Sequence, residues 1–189
     1  MKRFEIRIAG LGGQGIVMIG QVIGRAAVYD GMNVVQTQSY GAEARGSGAK
    51  SEVIISDGKI GFPFVRKCDL LVAMNQEAVD KNLRDLKPSG VLIVDDSIVK
   101  SVPKNIKHAY AMPATKIAEE AFGEKMYANM VILGAFVGIT SIVSEESVEK
   151  AVADTFPRKT ATLNVEAVKK GKELAASLYR LHSLDLNKL

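Results

Sequence analysis

The chain has 189 residues, enough for one domain with a sizeable core, and its apolar and charged contents of 47% and 24% are typical of a globular protein. Its single cysteine, Cys68, excludes an internal disulfide and an iron–sulfur cluster held by this chain alone. The net charge of +4 arises within residues 158–189, which carry seven basic and three acidic side chains. That segment is either a solvated helix face or a surface for an acidic partner or a phosphate-bearing ligand.

The amino-terminal pattern predicts a strand, a glycine turn and a helix. Residues 4–9 form an apolar run, and residues 14–29 have helical spacing. Between them Gly10, Gly12 and Gly15 match G-x-G-x-x-G, which lets an anion approach the main chain at a helix start. The motif indicates either a phosphate cradle or a tight turn with nothing bound.

The middle of the chain predicts further strands. A second strand covers residues 32–37 and is followed by a loop over residues 38–50. A third strand, the turn signal Asp57-Gly58 and a return strand predict an antiparallel hairpin. The ranges of these and the following elements are 51–56 and 59–64 for the hairpin, 69–74 for a buried strand, 76–85 for a helix, 88–90 for a turn, and 91–94 and 108–112 for two more strands.

The second half of the chain is mostly helical. Helices are predicted over residues 114–122, 127–143 and 163–181, with a further one that begins at Ser144 and ends at Pro157. Gly134 and Gly138 stand four apart, a spacing that indicates close helix packing. The alternation predicts a three-layer, Rossmann-like α/β fold, with a mostly parallel sheet and an added antiparallel hairpin. We expect one domain over residues 1–182 and a tail over 183–189.

The composition also favours some locations and partners over others. The longest near-apolar run, residues 130–143, is too short to span a bilayer, and Glu5 and Arg7 interrupt the stretch that a signal peptide would need. We therefore expect a cytoplasmic protein without a membrane partner. No aromatic-rich basic groove accompanies the positive charge, so nucleic acid is not favoured.

The glycine motif lacks the companions of the common nucleotide-binding motifs. An NAD site places an acidic residue at the end of the second strand, where this chain has Thr37, Gln38 and Ser39, and Asp30 stands at the wrong end of that strand. No Gly-Lys-Ser/Thr follows the glycines, which argues against a P-loop.

The loop after the second strand offers a different companion. Tyr40, Glu43 and Arg45 follow that strand, and loops after parallel strands meet at one sheet edge. Arg45 presents a planar fork for a carboxylate or phosphate, and Glu43 is placed to orient it or to accept a proton. The alternative is a solvated loop with a local Glu–Arg pair.

Several stretches, in order, resemble the gamma subunit of 2-oxoacid:ferredoxin oxidoreductases and the equivalent domain of single-chain pyruvate:ferredoxin oxidoreductases. The matching stretches are Gly12-Gly13-Gln14-Gly15, Gln38-Ser39-Tyr40-Gly41 with Glu43, Arg45 and Gly46, Ser51-Glu52-Val53-Ile54-Ile55-Ser56, Asp69-Leu70-Leu71-Val72-Ala73, and Asn129-Met130-Val131 with Leu133-Gly134-Ala135. Ala42 and Ser47 depart from the family, which often has Pro and Gly there.

The resemblance implies an enzyme subunit that does not act alone. The family converts a 2-oxoacid, coenzyme A and oxidised ferredoxin into acyl-CoA, carbon dioxide and reduced ferredoxin. Thiamine diphosphate, magnesium and [4Fe-4S] clusters are expected on alpha and beta subunits, with a delta subunit as a further candidate partner, and no metal on this chain. Among the oxoacids 2-oxoglutarate is favoured, while pyruvate and indolepyruvate stay open. A stand-alone nucleotide or coenzyme A binding module and a purely structural subunit are the alternatives.

The resemblance assigns no catalytic residue to this chain, but it implies a surface that faces coenzyme A, the substrate or a partner. For Asn129 the competing interpretation is a helix cap, because it opens an apolar helix. The residues expected on that surface are Gly12, Gly13, Gln14, Gly15, Ser39, Tyr40, Glu43, Arg45 and Asn129.

Overall fold

The computed structural model describes residues 2–41 and 48–186, with side chains as far as residue 176. Within these ranges there are six strands and six α-helices, and short 3-10 turns at Leu83–Asp85 and Lys125–Tyr127. The strands are β1 Arg3–Leu11, β2 Asn33–Tyr40, β3 Gly48–Ser56, β4 Cys68–Ala73, β5 Leu86–Asp95 and β6 His108–Met112. The helices are α1 Ile16–Tyr29, α2 Gln76–Asn82, α3 Ala114–Phe122, α4 Ala128–Thr140, α5 Glu145–Thr155 and α6 Arg158–Leu186.

The strands form a single sheet in the order β2-β3-β1-β4-β5-β6. β3 runs antiparallel to both of its neighbours, while β1, β4, β5 and β6 pair in parallel. β2 therefore points the same way as β1, and the carboxyl ends of five strands meet at one edge. The predicted three-layer α/β fold with a mostly parallel sheet is confirmed.

The two faces of the sheet are covered unequally. On one face, α1 and α3–α6 bury a large core that includes Ile6, Ile8 and Val72. On the other face, a smaller core around Ile54, Leu71 and Leu92 lies under α2 and the connecting segments. The central strands read as continuous apolar runs because both of their faces are buried.

The predicted hairpin at Asp57-Gly58 is wrong. Residues 59–67 form no strand, because both edges of β3 are already occupied, one by β1 and the other by β2. The antiparallel hairpin of the fold joins β2 to β3 instead. The predicted loop over residues 38–50 is correspondingly shorter, since β2 continues to Tyr40 and β3 begins at Gly48.

The predicted turn at residues 88–90 is also wrong. Pro88 and Gly90 lie inside β5, within a register shift of its pairing with β4. Leu86 pairs with Cys68 and Val91 with Leu70, so residues 87–90 of β5 correspond to the single residue Asp69 of β4. A proline has no N–H for the ladder, and the irregular pairing accommodates it.

The predicted close packing of α4 is confirmed. A side chain at Gly134 would collide with the main chain of α6 at Val168, and one at Gly171 would collide with the main chain of α4 at Val131. α6 also contacts α5, where Lys169 pairs with Glu149 at 3.1 Å and Lys172 pairs with Glu145. Lys169 and Lys172, two of the seven basic residues in the positively charged segment 158–189, are therefore paired with carboxylates of the same chain.

Candidate functional site at the carboxyl edge of the sheet

The glycine loop is a rigid connection between β1 and α1. Gly13 and Gly15 have φ of 93° and 72°, a left-handed conformation that side chains disfavour, and Gly15 caps the start of α1. The Gln14 side chain accepts a hydrogen bond from the Leu11 N–H at 2.7 Å and donates one to the Met74 carbonyl at 3.1 Å. Both polar groups of Gln14 thus hold the loop against the end of β4, while Gly12 and Gly13 are exposed.

Asn129 joins this loop to a second helix start. It lies in the first turn of α4, is only 9% exposed, and its Nδ2 rests on Gly15, where a Cβ would collide with it. Its Oδ1 accepts from the N–H of Met130 at 2.8 Å, and within the described ranges its Nδ2 donates to no acceptor. The cap position of α4 belongs to Tyr127, so the interpretation of Asn129 as the cap is wrong.

A cleft lies beside the loop, on the side of the sheet that carries α2. Strand register places Gly10 of β1 opposite Ala49 of β3, and Ala49 opposite Tyr40 of β2. The cleft has a volume of about 330 Å³ and extends from these strand ends to α2. Its lining includes Gly10, Ser39, Tyr40, Lys50, Asn75 and Lys81, and we call it the carboxyl-edge cleft.

Two lysines, Lys50 and Lys81, and one carboxylate, Glu77, line this cleft. Lys50 lies 3.4 Å from Glu52 and is about one third exposed, and Lys81 pairs with Glu77 one turn earlier in α2. Asn75 caps α2 by accepting a hydrogen bond from the Ala78 N–H at 2.7 Å. Each ammonium group is therefore already paired with a carboxylate, and an anionic ligand would share these lysines with Glu52 and Glu77.

The structure brings together most of the residues expected from the sequence, in two adjacent groups. Gly12, Gly13, Gln14, Gly15 and Asn129 form one group at the starts of α1 and α4. The second group contains Ser39 and Tyr40, which line the cleft. Glu43 and Arg45 lie outside the described residues. The described residues on either side of them, Gly41 and Gly48, line the cleft, and the Gly41 N–H donates to the Gly48 carbonyl at 2.8 Å. The roles of Glu43 and Arg45 stay predictions.

Lys50, Asn75 and Lys81 are lining residues that the sequence reasoning missed. The Lys50 position follows from the pairing of β2 with β3, which the predicted loop concealed. Lys81 stands on a polar helix four residues after Glu77, a pattern that is equally typical of a solvated face.

The described residues do not fit a cluster or a metal. No group of three or more His, Cys, Asp or Glu side chains among them is placed to hold a metal ion. Cys68 is fully buried, and burial raises the pKa of its thiol to about 11, so the thiol is an inert part of the core at neutral pH. Within the same ranges no helix is long and apolar enough to cross a membrane.

Fold and site together define a Rossmann-like α/β domain with a glycine loop and a lysine-containing cleft at the carboxyl edge. Residues 5–174 match the family model for pyruvate ferredoxin/flavodoxin oxidoreductase. The chain belongs to this family, as the sequence motifs predict.

Similarity to individual members of the family supports this assignment. The 2-oxoglutarate synthase subunit KorC of Methanocaldococcus jannaschii is 48% identical over 179 residues, which are 93% of this chain and 96% of the relative. The solved gamma subunit of a keto/oxoacid ferredoxin oxidoreductase from Geobacter sulfurreducens has a TM-score of 0.82 and 44% identity, covering 92% of this chain and 99% of that one.

A third relative is a longer protein. It is the 2-oxoglutarate:ferredoxin oxidoreductase from Magnetococcus marinus, solved with 2-oxoglutarate, coenzyme A and succinyl-CoA bound. It has a TM-score of 0.84 and 30% identity, covering 94% of this chain but only 32% of that one. The present chain therefore corresponds to about a third of that polypeptide.

Proposed function

We propose that this chain is the gamma subunit of a 2-oxoacid:ferredoxin oxidoreductase whose oxoacid is 2-oxoglutarate. The assembled enzyme converts 2-oxoglutarate, coenzyme A and oxidised ferredoxin into succinyl-CoA, carbon dioxide and reduced ferredoxin. The observation that carries the proposal is the similarity, over more than nine tenths of both chains, to a relative named for 2-oxoglutarate synthase. The Geobacter gamma subunit supports the subunit role.

The redox and carbon chemistry belongs to other subunits. Thiamine diphosphate with magnesium supplies the carbanion chemistry, and iron–sulfur clusters carry the electrons. A single buried cysteine and no candidate metal cluster in the described part of this chain support placing these groups on alpha and beta partners. The cytoplasmic location expected from the sequence stays a prediction.

The contribution of this chain is a binding surface for coenzyme A. Three features at one sheet edge offer hydrogen-bond donors to an anion: the ammonium groups of Lys50 and Lys81, the N–H groups at the start of α1, and the Nδ2 of Asn129. Coenzyme A carries phosphates, and a cleft of about 330 Å³ is suited to one part of such a ligand. Arg45, in the adjoining loop, is a further candidate for a phosphate or carboxylate.

The proposal is tested by reconstitution. The chain is co-expressed with candidate alpha and beta subunits of the oxidoreductase, and coenzyme A-dependent reduction of ferredoxin is measured with 2-oxoglutarate, pyruvate, 2-oxoisovalerate and indolepyruvate. We expect this chain to copurify in a thiamine- and iron-containing complex that prefers 2-oxoglutarate. Failure to enter such a complex contradicts the subunit role, and a preference for another oxoacid contradicts the substrate.

A second arm tests the coenzyme A surface. Arg45→Ala in the intact complex is expected to raise the KM for coenzyme A or for the oxoacid while assembly survives. Unchanged kinetics would remove Arg45 from the site.

A further inference from the structure

We infer that residues 57–67, here called the aromatic strap, form a docking surface for another subunit of the oxidoreductase. The docked subunit extends over the adjacent face of β2 and β3 and closes the carboxyl-edge cleft on that side. The inference rests on the proposed function, because it takes the partner from the same enzyme. Three observations support it: the strap is hydrogen-bonded to β1, it exposes two phenylalanine side chains, and a groove connects it to the carboxyl-edge cleft.

The strap is fixed to the sheet by side chains of β1. Arg7 donates to the Val65 carbonyl at 3.0 Å, and Arg3 donates to the Phe62 carbonyl at 3.4 Å. Arg7 is itself only 4% exposed and also donates to Glu52 at 2.9 Å and Asp85 at 2.6 Å. The strap is therefore held in one place without belonging to the sheet, as expected of a preorganised contact surface.

The strap directs its large apolar side chains outward. Val65 is buried, but Phe62 and Phe64 are 46% and 56% exposed, with ring centroids 5.5 Å apart in an edge-to-face contact. With Glu5 and Arg66 they line a shallow cavity of about 250 Å³. A connection that only had to cross the sheet would be served by polar side chains, whereas paired aromatics beside an arginine are typical of interface centres.

Charge specifies the chemistry of the partner. The Arg66 guanidinium lies over the Phe62 ring at 5.1 Å, and no carboxylate of the described residues pairs with it. The strap contains one acidic residue, Asp57, against the basic residues Lys59, Arg66 and Lys67, of which Lys67 pairs with Asp85 at 3.6 Å. It therefore fits an apolar surface bordered by carboxylates.

The same observations argue against a second copy of this chain as the occupant. A two-fold contact with its axis at the strap would place one strap against another, bringing like charges together. The Magnetococcus relative, in which the equivalent of this chain is about a third of one polypeptide, supports a different subunit.

The strap is continuous with the carboxyl-edge cleft. A groove of about 220 Å³ runs between Phe64 and the open face of β2 and β3, where it is lined by Thr37, Ser39 and Lys50. Ser39 and Lys50 line the carboxyl-edge cleft as well. A subunit seated on Phe64 thus reaches the cleft without a gap and brings its own residues to the cleft wall.

Photo-crosslinking tests the contact in the assembled enzyme. Phe64 is replaced by p-benzoylphenylalanine, and the control carries it at Val28, which is also 56% exposed but lies on α1, across the sheet. We expect a crosslink to another subunit from position 64 and none from position 28. No crosslink from position 64 in an assembled complex overturns the inference, and a crosslink to a second copy of this chain overturns the choice of partner.

An affinity measurement completes the test. Phe62→Ser/Phe64→Ser and the control Val28→Ser are titrated with the remaining subunits, and folding is checked by circular dichroism. We expect the double variant to fold and to bind about tenfold more weakly or worse, and the control to bind as the wild type does. If the wild-type chain binds no oxidoreductase subunit, the proposed function fails. If the wild-type chain binds and the double variant binds equally well, only the docking inference fails.

Discussion

Gly134 of α4 faces the main-chain carbonyl of Val168 in α6 with no space for a side chain between them. The relationship is reciprocal, because Gly171 of α6 faces the carbonyl of Val131 in the same way. Two helices that meet backbone to backbone cannot adjust by turning a side chain aside. The large core between the sheet and α4 depends on this close crossing.

Gly134→Ala is therefore expected to destabilise the chain. An alanine in a helix interior gains about 1 kcal/mol of propensity over glycine, but overpacking against backbone costs roughly 1–3 kcal/mol, so the clash wins. Urea unfolding measures the change, and Gly61→Ala, where nothing lies within 4 Å of the added methyl group, is the control. A Gly134→Ala variant more stable than wild type would contradict this packing.

Alanine substitutions at two positions of the glycine loop should lower the free energy of unfolding by different amounts. Gly13 and Gly15 both have positive φ, but the space beside Gly13 is open whereas Gly15 meets the Asn129 amide. Gly13→Ala should lower the free energy of unfolding by about 1 kcal/mol, because alanine disfavours the positive φ. Gly15→Ala should lower it by more, because the added methyl group also meets Asn129. Asn129→Ala should recover part of the loss in the double variant, as a double-mutant cycle would show. Purely additive losses would mean that the two side chains do not compete for space.

Some elements could be predicted from the sequence because local signals decide them. α3 lies over the predicted residues 114–122 and ends at Gly123, whose φ of 77° is the usual glycine stop. β6 also has the predicted bounds, since it is a short apolar run between loops. The family resemblance, which depended on several motifs in order, is confirmed by the family match.

The rest depended on contacts between distant parts of the chain. Asp57-Gly58 has a good local hairpin signal, but β1 and β2 occupy both edges of β3, and sequence does not reveal which edges are free. The contact of Gly15 with Asn129 joins the starts of two helices that are far apart in sequence. The motif resemblance named both residues, whereas their contact required the fold.

The hydrogen bonds that Asp30 accepts predict that the free energy of unfolding falls in acid. Asp30 follows α1 and accepts hydrogen bonds from the Ser144 N–H at 2.7 Å, the Ser144 hydroxyl at 2.6 Å and the Ser147 hydroxyl at 2.6 Å, so it fixes the start of α5. Partial burial raises the pKa of Asp30, but these hydrogen bonds outweigh it, and the pKa lies below its ordinary value. Because the folded pKa is depressed, the stabilisation is present above the unfolded pKa of about 3.9 and disappears as the pH falls through the lower folded pKa.

Asp30→Asn measures this contribution. The variant should lose about 1 kcal/mol at pH 7, and its difference from wild type should shrink between about pH 5 and pH 3. Urea unfolding at several pH values checks it, with Asp80→Asn on the exposed side of α2 as the control. A difference that is the same at pH 7 and pH 3 would contradict the ionic role of Asp30.

The hydrogen bonds of Arg7 should keep the thiol of Cys68, the single cysteine of the chain, inaccessible to reagents. The Cys68 thiol donates to the Asp85 carbonyl at 3.6 Å, and Arg7 holds both Asp85 and the strap carbonyl of Val65 near it. Arg7→Met leaves the carboxylates of Glu52 and Asp85 without their main partner, which should cost about 3 kcal/mol. The thiol, with a pKa of about 11, should be almost inert to a thiol reagent at pH 8 in the wild type and at least about tenfold faster in the variant.

Arg66→Met is the matched control for that experiment. Arg66 belongs to the strap and lies two residues before Cys68, but it is exposed, and its contact is with the Phe62 ring. Its loss should leave the labelling rate of Cys68 unchanged. Equal rates in Arg7→Met and wild type would show that Arg7 does not hold the strap closed.

Lys50 predicts how the assembled enzyme recognises coenzyme A. Lys50 lines both the carboxyl-edge cleft and the groove beside Phe64. If it contacts a phosphate, Lys50→Met should raise the KM for coenzyme A about tenfold or more and leave the KM for 2-oxoglutarate nearly unchanged, since a hydrogen bond to a charged group is worth about 1.5–3 kcal/mol. Lys159→Met, on α6 across the sheet, is the control, and its kinetics should match those of the wild type. Steady-state kinetics at low and high ionic strength make the comparison sharper, because an effect of Lys50 on the KM for coenzyme A should weaken as salt is added.

A Lys50→Met enzyme with an unaltered KM for coenzyme A would contradict a contact between Lys50 and a phosphate. The carboxyl-edge cleft would then serve only for contact with the partner subunit.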